Sequence, residues 1–168
     1  RPVGLAIISH AHTDHAKSGH NNIICTPHTK EIMKLRYPLD EAKFQILKFG
    51  KQFNFNSSTT ITLYPAGHVL GSAQILIQYQ GIKTLITGDY KVRRDFLTEN
   101  FVGIKCDILI TEATFGLPVF QFPPSKLEIL KLLESYNNKG INHIIGAYAL
   151  GKSQRIISEI RNIDQNIP

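Results

Sequence analysis

Long apolar runs, targeting signals and cysteine pairs are all missing from this chain. No stretch approaches the roughly 18 apolar residues of a membrane helix, and nothing at the start reads as a signal peptide. Only two cysteines occur in 168 residues, Cys25 and Cys106, far apart and with no C-x-x-C spacing. They read as buried reduced thiols, which points to the cytoplasm. Low-complexity tracts and repeats are absent too, so no solenoid or disordered class applies. Acidic residues are few: 13 Asp and Glu stand against 19 Lys and Arg, for a net charge of +6. That balance points weakly to a polyanion and strengthens if several of the acids hold metal.

The remaining composition, 42% hydrophobic and 19% charged, is that of a globular domain with a real core. Both ends look cut. The chain opens without Met inside the apolar run "VGLAII" and stops at "NIP" after a helix, so it reads as a fragment of a longer protein.

Strand-like runs come first. They are "VGLAIIS" (3–9), "NIICT" (22–26), "FQILKF" (44–49), "TITLYPA" (60–66), "AQILIQY" (73–79), "KTLITG" (83–88) and "DILITEA" (107–113). A tight turn at Gln80-Gly81 makes 73–88 a hairpin. Thr26 and Pro27 supply an N-cap and first-turn proline for a helix over 27–36. Later, Ser125 with Glu128 forms a capping box opening a helix whose apolar face is Leu127, Leu130, Leu133 and Tyr136. "NHIIGAY" (142–148) reads as another strand, with His143 alternating between Ile141 and Ile145 and at least half buried. Residues 152–163 form an amphipathic helix with Ile156, Ile157, Ile160 and Ile163 inward. The class is mixed α/β, and the Pro-rich "LPVFQFPP" (117–124) is the candidate junction.

What the chain has in excess is histidine at one place. "ISHAHTDHAKSGH" (8–20) holds His10, His12, His15 and His20, four of the seven histidines. His10 and His12 lie two apart at the mouth of a strand, so both imidazoles point to one side. Asp14 and His15 are adjacent at a turn and diverge. One pair can serve one metal ion and the other pair a second ion, with imidazole and carboxylate suited to Zn²⁺ and its neighbours. Two further ligands sit in matching contexts. His68 lies between glycines in "YPAGHVLGSA", and Asp89 ends a strand in "ITGDY", where a carboxylate can bridge two cations roughly 3.5–4 Å apart. His20 is close enough to support the cluster from outside, and His28 sits solvated in the first helical turn.

These residues carry a family resemblance. "HAHTDH", "AGHVLGSA" and "TGDY" resemble the metal-binding motifs of the metallo-β-lactamase fold. "TEATFG" and "YALGKSQR" resemble segments of its β-CASP branch, whose members cut nucleic acids. With "GDYK" and "TEATFGLPVF", the chain is similar to the bacterial ligase-associated DNA exonucleases, often labelled mRNA 3′-end processing factors.

The resemblance implies an αββα sandwich over 1–116, incomplete at both ends, followed by the start of a β-CASP region over 117–168. It implies that His10, His12 and His68 hold one metal, that Asp14 and His15 hold a second, and that Asp89 bridges. It makes Glu112 the first β-CASP acid, close to the metals. The family pattern also has strands ahead of the histidine motif and two further histidines, which would lie before Arg1 and beyond Pro168.

The expected activity is phosphodiester hydrolysis, with Asp14 orienting the attacking water and Glu112 holding a proton-carrying partner. Zn²⁺ is the first choice for the two divalent ions and Mn²⁺ the alternative. Lys91, Arg93 and Arg94, directly after Asp89, are placed to reach phosphates. Lys152 and Arg155 open the last helix, whose amides also suit an anion. Single-stranded DNA is the favoured substrate and RNA the alternative, with an ATP-dependent DNA ligase as the implied partner in repair. A small-molecule ester or thioester hydrolase is opposed by "TEATFG" and the basic charge. A non-catalytic binding scaffold is opposed by the intact set of six ligands.

Overall fold

The computed structural model describes residues 1–37 and 43–167. Two compact units make up the chain, Arg1–Glu112 and Ala113–Pro168.

The first unit begins with three parallel strands in the order β1 (Leu5–Ile7), β2 (Asn22–Cys25) and β3 (Lys43–Ile46). Between β2 and β3 lies α1 (Pro27–Arg36), capped as expected by Thr26, whose side chain accepts from the Thr29 amide. A second sheet runs β4 (Gln52–Asn54), β5 (Thr59–Pro65), β6 (Ala73–Tyr79), β7 (Ile82–Ile86) and β8 (Ile108–Ile110). Its first three pairings are antiparallel and the last, β7 with β8, is parallel. Gln80 (φ 48°) and Gly81 (φ 84°) both take positive φ, which is the two-residue turn that matches strand twist.

Side chains two apart on a strand share a face, and the register puts like with like. Ile61 faces Ile77 and Leu63 faces Ile75 across β5 and β6. Those residues, with Ala73, meet Ile24 and Leu47 in one core, and Leu5, Ile7, Phe53 and Ile86 pack around it. The core therefore draws on both sheets, as a sandwich requires. Each fully buried aliphatic there stabilises the fold by roughly 1.5–3 kcal/mol. The mixed α/β class and the face-to-face sheets are those expected.

The second unit holds α2 (Ser125–Lys139) and α3 (Lys152–Ile163). Several expectations fail there, each for a local reason. Pro124, not Ser125, occupies the N-cap of α2. The Ser125 hydroxyl donates to Glu159 at 2.9 Å and Glu128 pairs with Lys131, so no capping box forms. The buried residues of α2 are Ile129 and Leu133, one turn apart, while Leu127, Leu130 and Tyr136 are exposed. On α3, Ile156 and Ile160 are half-buried and Ile157 and Ile163 exposed. Residues 142–148 form no strand: no described strand pairs with them, and extended chain without a ladder partner leaves its backbone groups to water. His143 and Ile144 are accordingly exposed. The short β4 was not expected, because "QFN" carries no alternating apolar run and owes its order to pairing with β5.

No helix among the described residues is long and apolar enough to cross a membrane. The Cys25 thiol is buried, which pushes its pKa up to about 12 and leaves it unreactive.

Candidate metal centre

Topology brings the polar loops together. β5, β7 and β8 run the same way, because two antiparallel steps and one parallel step separate them. The loops carrying His68, Asp89 and Glu112 therefore all leave one end of the second sheet. Ser9, just after β1, ties the first sheet to that same end: its carbonyl accepts from the amide of Ala73, the first residue of β6, at 2.8 Å. The histidine loop starts at the next residue. Within it the His12 carbonyl accepts from the His15 and Ala16 amides at 3.0 and 2.8 Å, and this turn brings the His15 ring back beside that of His10, their centroids 4.3 Å apart.

Two glycines make the convergence sterically possible. Gly67 (φ 75°) precedes His68, and a Cβ there would overlap the Lys91 carbonyl oxygen. Gly88 (φ 56°) precedes Asp89, and a Cβ there would come within 2.8 Å of the Ser9 side chain. Only glycine takes such φ values without cost while admitting so close an approach.

His10, His12, His68 and Asp89 offer four ligand atoms within 4.8 Å of one another. His10 Nε2 lies 3.0 Å from His12 Nδ1, and His68 Nε2 lies 3.2 Å from the same atom. Asp89 Oδ2 is 3.6 Å from His68 Nε2 and 3.9 Å from His10 Nε2. A tetrahedral cation with bonds near 2.0–2.1 Å separates its ligands by about 3.3 Å, so the spacing fits. The other oxygen, Asp89 Oδ1, is 3.4 Å from His15 Nε2, which is 3.5 Å from Asp14 Oδ2. One carboxylate thus faces two separate ligand groups.

The electrostatics suit the same purpose. His10 is fully buried, and that burial, reinforced by His15, His68 and His12, pushes its pKa down to about 2. Burial also lowers His68, against the opposing charge of Asp89. Neutral imidazole is the ligand form. Ser9 Oγ, 3.1 Å from His10 Nδ1, occupies the ring's other nitrogen and leaves Nε2 to face the cluster. The Ser72 hydroxyl accepts from the His68 and Val69 amides at 3.0 and 3.2 Å and sets that loop. Ser9 and Ser72 were not singled out in the sequence. Each stands beside a ligand loop, which is the only signal they carry there. The donor set, three imidazoles and a carboxylate, is that of a divalent-cation site.

The other expected residues fall in different places. Glu112 is half-buried two residues beyond β8, close enough that its charge raises the pKa of His68, while Lys91 lowers it. Lys91 itself is ion-paired with Asp95. Arg93 and Arg94 are exposed. In the second unit the Lys152 ammonium sits 4.8 Å from the Tyr148 ring centroid. Arg155 binds Glu159 at 2.8 Å and Ser125 at 3.2 Å, and would have to give up these partners to reach a phosphate. His20 accepts from the Val3 amide at 3.2 Å, and His28 pairs with Glu99 at 3.5 Å.

No protein-family model matches the chain. It is 33% identical over 165 residues to the probable DNA ligase of Opitutus terrae, covering 95% of this chain and 16% of that protein. It is 31% identical over 192 residues to endoribonuclease ysh-1 of Neurospora crassa, covering 92% of this chain and 22% of that one. A solved structure of a protein of unknown function from Enterococcus faecalis V583 matches with a TM-score of 0.61 and 15% identity. That match covers 98% of this chain and 45% of the other, and shows the fold alone. The chain spans less than half the length of each of these proteins. Ligand motifs at strand ends, facing sheets and relatives of this kind give one answer: the chain belongs to the β-CASP nuclease family of the metallo-β-lactamase fold.

Proposed function

We propose that this protein hydrolyses phosphodiester bonds in nucleic acid at a centre for two divalent metal ions, Zn²⁺ first and Mn²⁺ as the alternative. The observation that carries the reading is Asp89, whose two oxygens face different ligand groups. His10, His12 and His68 would hold one ion, Asp14 and His15 the other, with Asp89 between them. When bound, such ions supply Lewis acidity that acidifies water and neutralises phosphate charge.

The chain's own side chains do the rest. Asp14 is the most open acid of the centre, its side chain 79% exposed, and its carboxylate orients the attacking water. Glu112, beside His68, holds a proton-carrying partner for the leaving group. Lys91, Arg93 and Arg94 hold the substrate backbone next to Asp89; Lys152 and Arg155, at the start of α3 in the second unit, are the second set of candidate phosphate contacts, Arg155 only if it leaves Glu159 and Ser125. On this reading residues 1–116 are the lactamase-type part and 117–168 open the β-CASP region. The free cysteines Cys25 and Cys106 support a cytoplasmic location.

Single-stranded DNA is the favoured substrate, supported by the likeness to a probable DNA ligase over nearly the whole chain. The same likeness supports action beside an ATP-dependent DNA ligase in repair. The likeness to an endoribonuclease supports RNA as the second reading. The test is cleavage of single-stranded DNA and RNA of one sequence, with Zn²⁺ or Mn²⁺, by a purified form extended at both ends beside residues 1–168, which alone are expected to be inactive. The expected result is DNA cleavage lost in His68→Ala and after chelation. Cleavage of RNA alone would transfer the substrate to the second reading. Hydrolysis of a thioester or lactone with neither nucleic acid cut would refute phosphodiester chemistry.

A further inference from the structure

The loop that carries His68 is held by residues outside any ligand motif. At its far end Gly71 has φ 78°, and a Cβ there would come within 2.8 Å of both Thr26 Oγ1 and the Thr29 amide nitrogen. Its carbonyl receives two hydroxyls, from Thr26 at 2.7 Å and Thr29 at 3.0 Å. Both threonines are buried. Each hydroxyl has one proton, and a carbonyl oxygen has two lone pairs, so these two bonds satisfy all three groups. Thr26 Oγ1 still accepts from the Thr29 amide as the cap of α1. On the other side of the same residue, the Gly71 amide donates to Glu99 Oε2 at 3.0 Å, and the remaining oxygen of Glu99 pairs with His28.

Gly71 is therefore gripped through both its amide and its carbonyl. The grip passes directly to the ligand. Ser72, the next residue, accepts from the His68 amide and donates its own amide to the Val69 carbonyl. Its carbonyl accepts from Ala66, which closes the loop around His68. If Gly71 shifts, Ser72 and the His68 backbone must shift with it, and the 3.2 Å spacing to His12 opens.

We propose that Thr26, Thr29 and Glu99 are positioning residues for the metal centre, holding His68 at ligand distance from His10, His12 and Asp89 through Gly71. This rests on the reading of the cluster as a metal site. Loss of such outer partners typically weakens metal binding about 10–100-fold. Valine matches threonine in shape but donates nothing, and it leaves the buried carbonyl short of a partner.

The experiment measures affinity for Zn²⁺ and Co²⁺ by competition with a chromophoric chelator, with the Co²⁺ absorption spectrum as a report on coordination. Thr29→Val is expected to lose about 10–100-fold in affinity at the tighter site, and Thr29→Ser to recover most of it. Glu99→Ala is expected to lose affinity, while Glu99→Gln, whose amide oxygen still accepts from Gly71, keeps it. Glu99 lies partly in solvent, so this pair decides the matter even if Thr29→Val fails to fold. The metal-free unfolding midpoint of every variant is measured alongside. A lowered midpoint with unchanged affinity and unchanged Co²⁺ spectrum would make these residues purely structural and overturn the proposal. Wild-type protein that binds neither ion would instead bring down the metal reading itself, and this proposal with it.

Discussion

Gly88 joins the second sheet to Asp89, and replacing it with alanine asks what the close approach is worth. Two costs apply. At φ 56° an alanine Cβ crowds its own backbone, roughly 1–2 kcal/mol. The same Cβ would lie 2.8 Å from Ser9 Cβ and 3.0 Å from Ser9 Oγ, distances that force a shift. Ser9 is buried and has little room to move, so overpacking adds about 1–3 kcal/mol. Gly88→Ala should therefore cost about 2–5 kcal/mol. Gly81→Ala is the control: its φ is 84°, but nothing lies within 4 Å of the added carbon. It should cost only the backbone part. Urea unfolding with unchanged m-values compares them directly. A second readout ties the number to the site, because Ser9 Oγ supports His10 Nδ1. Zn²⁺ affinity should fall in Gly88→Ala and hold in Gly81→Ala. Equal destabilisation by the two substitutions would show that the approach of Gly88 to Ser9 carries no energetic weight, and the account of the loop junction would fail.

Asp89→Asn keeps the shape but not the charge that faces two ligand groups; metal analysis should show about two equivalents in wild type and clearly fewer in the variant, and equal content would remove Asp89 from the centre. Glu112→Gln should retain the metals and lose roughly 10²-fold or more in rate; loss of metal together with rate would make it a ligand. His10, ordinarily near 6.5 and held at about 2, stays neutral when folded but takes a proton in the unfolded chain. Its contribution is thus complete above pH 6.5 and is lost as pH falls towards 2. By pH 5 the loss is about 2 kcal/mol whether the folded value is 2 or a unit higher. Chelator-treated protein should therefore melt lower at pH 5 than at pH 7 by more than His10→Gln does, and parallel pH slopes would refute the assignment.

How far the sequence was legible depended on the range over which each signal acts. The convergence of His10, His68 and Asp89 was readable because each lies three residues beyond a strand, and "HAHTDH" encodes its own turn. The hairpin at Gln80-Gly81 and the Thr26 cap of α1 are equally local. Ser125 was misread because its hydroxyl bonds to Glu159, far along the chain, and no four-residue pattern can report that competition. Residues 142–148 have strand composition, yet a strand also needs a neighbour, which composition does not supply. The face of α2 was misassigned for a related reason. Every third or fourth residue is apolar on more than one side, and packing alone selects Ile129 and Leu133. Glu99 and Thr29 carried no local mark at all, since their link to His68 exists only once α1 and the loop after Asp89 meet at Gly71.

The same distinction separates the two ligand groups. His10 is sealed in the core, with a pKa so low that no proton competes for its lone pair at neutral pH. Burying a neutral imidazole with one nitrogen bonded to Ser9 costs far less than burying a charge. The fold can therefore assemble His10, His12 and His68 around Asp89 Oδ2 by packing and hydrogen bonds alone. Asp14 sits largely in water on the outer side of the turn, and its carboxylate lies 3.5 Å from His15 Nε2. Preorganisation is thus concentrated in the inner group, where both sheets, α1 and two glycines converge. The outer group relies on Asp89, already fixed by the inner one, to present its second oxygen. Asp89 is therefore the point that joins the buried residues of the cluster to the solvent-facing ones, and Gly88 before it admits the close approach to Ser9.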